Sequence, residues 1–80
     1  PYPNPFNPMT TIKFFVPYAS KLKFEVYDIS GRKIKQFNES YYTPGYHSVV
    51  WDAGKYSSGI YFVRMVAEGF SSTQKVMLVK

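Results

Sequence analysis

Apolar and polar positions alternate with a period of two along most of this chain, which is the pattern of half-buried β-strands. It is clearest over residues 45–68, GYHSVVWDAGKYSSGIYFVRMVAE. There two runs rich in β-branched and aromatic residues flank a polar connection holding Gly54, Ser57, Ser58 and Gly59. In the first run His47, Val49 and Trp51 fall on one face and Ser48, Val50 and Asp52 on the other, because successive side chains point to opposite sides of a strand. In the second, Tyr61, Val63 and Met65 share a face, and Ile60, Phe62, Arg64 and Val66 share the opposite one. The spacing predicts strands over 47–51 and 60–66, antiparallel to each other and joined by the loop between them. Trp51 is the only tryptophan and the largest apolar surface available, so it is the expected centre of the core.

The rest of the chain reads as strands around this pair. Prolines at 1, 3, 5 and 8 predict an extended, polyproline-like lead-in over residues 1–9, with Phe6 able to pin it to the body. A PxxP ligand for another domain is the functional alternative for this stretch. The sandwich proper is expected over residues 10–80. Residues 10–16, TTIKFFV, form a strand with Ile12, Phe14 and Val16 on one face, and Pro17 ends it. Residues 22–29, LKFEVYDI, form a second, with Leu22, Phe24 and Val26 inward and Lys23, Glu25 and Tyr27 outward. Ser30-Gly31 is a tight turn. A third strand covers 32–37 with Ile34 inward; Phe37 falls out of phase with Ile34, which predicts a bulge or a switch of parity. Residues 38–45 are a polar, tyrosine-bearing loop closed by Pro44-Gly45. Glu68-Gly69 turns the chain again, and 73–80, TQKVMLVK, is the last strand. Six to seven short strands with regular turn signals and no helical periodicity predict an all-β, antiparallel, immunoglobulin-like β-sandwich. Gly59-Ile60-Tyr61 at a strand start suggests a tyrosine corner.

Composition narrows the class. Eighty residues make one small domain, which buries only about 60–65% of its unfolded surface, and a 20% aromatic content supplies bulk to its core. There is no cysteine, hence no disulfide framework and no thiolate metal site. No apolar run reaches the roughly 18 residues that would span a bilayer, and no signal-peptide pattern is present. The chain begins at Pro1 without an initiator methionine, as expected of a fragment or a processed piece of a longer protein. The net charge of +5 comes from lysines and arginines spread over nearly every segment. That describes a solvated surface with lysine-protected sheet edges rather than a phosphate-binding patch, so nucleic acid is not the expected partner.

A search for chemistry finds no catalytic set. His47 is in phase with Val49 and Trp51, so it is expected to be structural, at the end of a core face, rather than part of a Ser-His-Asp arrangement. Asp28 and Asp52 each precede a glycine-containing turn, where an Asp side chain accepts backbone N–H bonds. Only Asn38 and Glu39 lie adjacent as potential calcium ligands, and no glycine-rich phosphate loop leads into a helix. The expectation is a non-enzyme without cofactor or metal. Tyr41, Tyr42, Tyr46 and Tyr56 lie in or beside loops, where they either stack on sugars or cover the ends of a small sandwich. A structural subunit that self-associates through its edge strands is a further reading.

Five blocks carry a resemblance: YPNPFNPMTTIKF, VYDISGRKI, PGYHSVVWDAG, SSGIYFVRM and QKVMLVK. In order and spacing they resemble the C-terminal sorting domain of the type IX secretion system, from Tyr2 to Lys80. They are also similar to the immunoglobulin-like domain of the flagellar hook-capping protein. The sorting-domain resemblance implies a β-sandwich at the C-terminus of a large exported protein. It implies a covalently attached N-terminal cargo, delivery through an outer-membrane translocon to the cell surface, and removal there by a sortase-like peptidase. The family's glycine-hydrophobic-aromatic element matches Gly59, Ile60 and Tyr61, and its lysine-bearing terminal strand matches Lys75, Val76, Met77, Leu78, Val79 and Lys80. One departure stands out: Asp52 is followed by Ala53 and then Gly54, where the family often has Asp-Gly. The run from Val76 to Val79 is apolar on both faces. Met77 and Val79 are therefore either covered by another part of the chain, such as the lead-in, or left for a partner. These nine residues are the expected recognition site.

Overall fold

The computed structural model describes residues 9–79. Residues 1–8 of the expected proline-rich lead-in over 1–9, and Lys80, lie outside the described residues, while Met9 already belongs to the first strand. Six strands follow one another: β1 (Met9–Val16), β2 (Ser20–Tyr27), β3 (Lys33–Tyr42), β4 (Gly45–Asp52), β5 (Gly59–Ala67) and β6 (Phe70–Leu78). β1 pairs with β4 in one sheet, and the other has the order β3-β2-β5-β6. All pairings are antiparallel. This is the expected all-β sandwich, and the order corresponds to the B–E and C′–C–F–G strands of the immunoglobulin-like arrangement.

Alternation builds the core as the sequence requires. Ile12, Phe14 and Val16 of β1, Leu22, Phe24 and Val26 of β2, and Tyr61, Val63 and Met65 of β5 are buried around Trp51. Trp51 is fully enclosed, with Tyr61 edge-on at 5.4 Å and Tyr56 at 5.5 Å between ring centroids. Its indole N–H has no hydrogen-bond partner among the described residues. A buried donor left unpaired costs about 1–3 kcal/mol. Burying 150–250 Å² of aromatic surface at roughly 25 cal/mol per Å² contributes about 4–6 kcal/mol, so the ring still gains by being inside.

Three expectations are corrected. The strands over 47–51 and 60–66 are not a hydrogen-bonded pair: β4 lies in the sheet with β1, and β5 lies between β2 and β6. Each carries its largest ring on its inner face, so placing them in opposite sheets lets Trp51 and Tyr61 meet across the core. Residues 38–42 are not a loop; β3 runs on to Tyr42, whose ring packs edge-on against Phe14 at 5.2 Å and Phe24 at 6.2 Å. The second strand stops at Tyr27, before Asp28 and Ile29, because Asp28 nucleates the turn. Its carboxylate accepts the backbone N–H groups of Ser30 and Arg32 at 3.0 Å each, and Ile29 is left exposed.

The expected parity switch in the third strand is present. Val26 faces Lys35 but Tyr27 faces Lys33, which leaves Ile34 as an extra residue. Ile34 and Phe37 consequently both pack against the core despite their odd separation. A second irregularity lies opposite Leu22–Phe24 and brings Tyr42 back into phase. β5 and β6 form a hairpin across Glu68-Gly69, where Gly69 has φ +93°, a left-handed conformation that glycine adopts without steric cost.

Candidate functional site

The first element of the expected site opens β5. Gly59 has φ +154°, a backbone region that residues with a Cβ rarely enter, and nothing crowds it. Ile60 follows on the outer face and Tyr61 on the inner. The Tyr61 hydroxyl donates to the Ser57 carbonyl at 2.6 Å, four residues upstream in the β4–β5 connection. This is the tyrosine-corner geometry anticipated from Gly59-Ile60-Tyr61. It ties the crossover between the sheets to the start of β5.

The second element is the end of β6, and the ladder brings the two together. Gly59 faces Leu78, Ile60 faces Met77, Tyr61 faces Val76 and Phe62 faces Lys75. Two motifs separated in sequence are therefore one cross-strand surface. Alternation divides it between the faces of the sheet. Tyr61 and Leu78 are buried and Val76 packs against the core, so these three support the fold. Ile60, Met77 and Val79 take the outer phase, with Met77 64% and Val79 75% exposed and Ile60 half-buried. Among the described residues nothing covers Met77 or Val79, and the lead-in expected as a possible cover lies outside them. Lys75 is exposed beside half-buried Phe62, and Lys80 lies outside the described residues. β6 is the outermost strand of its sheet, so one of its edges carries no neighbouring strand among the described residues.

Phe62 belongs to this surface and was not singled out from the sequence. Only the register reveals it, since it links Lys75 on one side to Tyr27 on the other. Beyond Tyr27 the same outer face becomes basic. Glu25 is 6% exposed although it points away from the core, because Lys23, Lys33 and Arg64 close over it at 3.8, 3.3 and 3.7 Å. The Tyr27 hydroxyl donates to it at 2.8 Å. That hydrogen bond, with those of Lys33 and the charges of Lys33 and Lys23, holds the Glu25 carboxyl below its ordinary value against the opposing effect of burial. Three cations share one carboxylate, so the patch keeps a surplus of two positive charges beside the apolar strip.

The remaining sequence candidates are structural. His47 Nε2 lies 2.7 Å from the Thr43 carbonyl, and its ring stacks on Phe14. Asp52 accepts the Gly54 N–H at 3.2 Å. The Asp28 carboxyl is likewise held below its ordinary value, chiefly by the Ser30 hydroxyl and the Arg32 N–H. Among the described residues no cluster of three metal-ligating side chains exists, and no helix is long and apolar enough to cross a membrane.

Compared with known families, the whole chain, residues 1–80, matches the family described as secretion system C-terminal sorting domain. No curated protein and no solved structure matches it.

Proposed function

The chain belongs to the secretion system C-terminal sorting domain family, and from that premise we propose that it is read by the type IX translocon through the outer face and free edge of β5–β6. Domains of this family mark proteins exported through the periplasm to the cell surface or beyond, and they are signals rather than catalysts. We extend this to the present chain, which we take to do no chemistry of its own and to travel as the address of an N-terminal cargo. A surface peptidase then acts at its junction with that cargo.

One observation carries the reading: Gly59-Ile60-Tyr61 and the end of β6 are direct cross-strand partners at a sheet edge. An edge strand offers unpaired N–H and C=O groups to an added strand, and Ile60, Met77 and Val79 supply apolar contact beside it. Lys75 and the surplus charge around Glu25 would orient an acidic partner. Tyr61, Val76 and Leu78 hold the surface in shape from beneath.

The experiment is a reporter fused to the N-terminus of this chain in a host with type IX secretion. Met77→Asp with Val79→Asp should leave the domain folded, since both side chains are exposed, and should abolish surface delivery. Removing residues 74–80, which also takes the buried Leu78 out of the core, should likewise abolish delivery. Delivery that survives both changes would overturn the proposal.

A further inference from the structure

The structure separates the four loop-bordering tyrosines. Tyr42 belongs to the aromatic core around Phe14, and Tyr56 packs on Trp51 and donates to the Ile34 carbonyl at 2.9 Å. Tyr46 lies against Phe15 on the outer face of the β1–β4 sheet. Tyr41 is different. It is 70% exposed and, with Tyr18 at 53%, walls a cleft of about 400 Å³ whose lining includes Ser20, Lys21, Glu39 and Glu68. That volume lies within the roughly 300–1,000 Å³ range of small-molecule sites.

The cleft forms where the β1–β2 connection, the end of β3 and the β5–β6 turn converge at one end of the four-stranded sheet. Its walls are anchored. Tyr18 packs edge-on against Phe70 at 5.5 Å, and the Ser20 hydroxyl donates to the Tyr18 carbonyl at 2.6 Å. Tyr41 sits in the β2–β3 ladder directly opposite Lys21. The rings are thus carried on ordered backbone, as a preorganised stacking surface requires.

The chemistry of the lining narrows the ligand. Glu25 is engaged by three cations and Asp28 by Arg32, whereas Glu39 and Glu68, like Asp52, take part in no ion pair among the described residues. An anion entering the cleft would meet both carboxylates, while Lys21, Glu39, Glu68 and the phenols together offer hydrogen-bond donors and acceptors. A neutral, hydroxyl-rich molecule can use both. Its hydroxyls can donate to Glu39 and Glu68 and accept from Lys21 and the phenols. An apolar ring face can lie on a tyrosine. We propose that the Tyr18–Tyr41 cleft binds a neutral saccharide. This site is at the far end of the β5–β6 hairpin from Ile60 and Met77, and it stands independently of the sorting reading.

Amide shift mapping by NMR on the intact chain tests it, with cellohexaose, chitohexaose, maltohexaose and mannohexaose as probes. At least one should move the amides of Lys21, Glu39, Tyr41 and Glu68. Tyr41→Ser and Tyr18→Ser should each weaken that association at least about tenfold, equivalent to ~1.4 kcal/mol. Glu68→Gln should weaken it without removing a ring, and Tyr46→Ser should leave it unchanged. No response to any of the four sugars would overturn the proposal. So would shifts centred on Phe15 and Tyr46, or binding unaffected by Tyr41→Ser in a chain whose spectrum stays dispersed.

Discussion

Replacing Tyr61 by Phe removes one oxygen and leaves the ring in place against Trp51, which isolates the tyrosine corner from the core around it. The lost bond is short, at 2.6 Å, and part-buried, and the Ser57 carbonyl loses its donor. A net hydrogen bond contributes about 0.5–1.5 kcal/mol, and an acceptor left without a partner raises the loss toward ~2 kcal/mol. For a domain of this size each 1 kcal/mol lowers the thermal midpoint by about 4–8 °C. The expected fall is therefore on the order of 2–16 °C, with unfolding still cooperative, since total stability is about 4–12 kcal/mol for 80 residues. Thermal and urea unfolding followed by tryptophan fluorescence measure it, with Trp51 as the single reporter. An unchanged midpoint would refute the claim that this bond ties the crossover to β5. A loss above about 3 kcal/mol would mean that the ring itself had moved. The same variant separates support from contact in export: its outer face is unaltered, so a folded Tyr61→Phe fusion should still reach the surface. Loss of delivery without loss of fold would show that Tyr61 is itself read by the machinery.

Trp51→Ala should cost roughly 3–5 kcal/mol, the range for deleting a buried aromatic, and calorimetry should find little or no folded protein at 37 °C. Tyr56→Ser and Tyr41→Ser should differ sharply under urea denaturation. The first loses the ring on Trp51 and the bond to Ile34 at a cost of about 2–4 kcal/mol, and the second stays within about 0.5 kcal/mol. The pH dependence of stability follows from Glu25, whose carboxyl titrates below its ordinary value of 4.5 when folded. Its contribution is fully present above that value and disappears as pH falls through the lower, folded value, because the unfolded chain binds the proton first. Glu25→Gln should flatten the acid limb of a stability–pH curve and leave a residual slope from Asp28, which shifts in the same direction.

The sequence by itself determined which residues face inward. In β1, β2 and β5 the two-residue period is unbroken, and every inward assignment made from it holds, because a strand has no other way to bury alternate apolar side chains. Turn chemistry was equally local. Asp28, Asp52 and Gly69 act within four residues of themselves, so their roles could be read from their neighbours. The tyrosine corner spans only Ser57 to Tyr61 and was legible for the same reason.

Which strands neighbour each other was not legible. The alternation in β4 and β5 is the same whether they pair side by side or face each other across the core; packing Trp51 against Tyr61 resolves it in favour of the second. The end of β3 looked like a loop because a bulge interrupts its period, and only contact with Phe14 and Phe24 draws Tyr42 inward. Glu25 was correctly assigned to the outer face, yet its burial depends on cations from three strands that no local pattern brings together. The candidate site divides along the same line. Its residues are visible in the sequence as two separate motifs, but the register joining Ile60 to Met77 and Phe62 to Lys75 is a property of the ladder, because cross-strand partners are set by how the whole hairpin lies against the core.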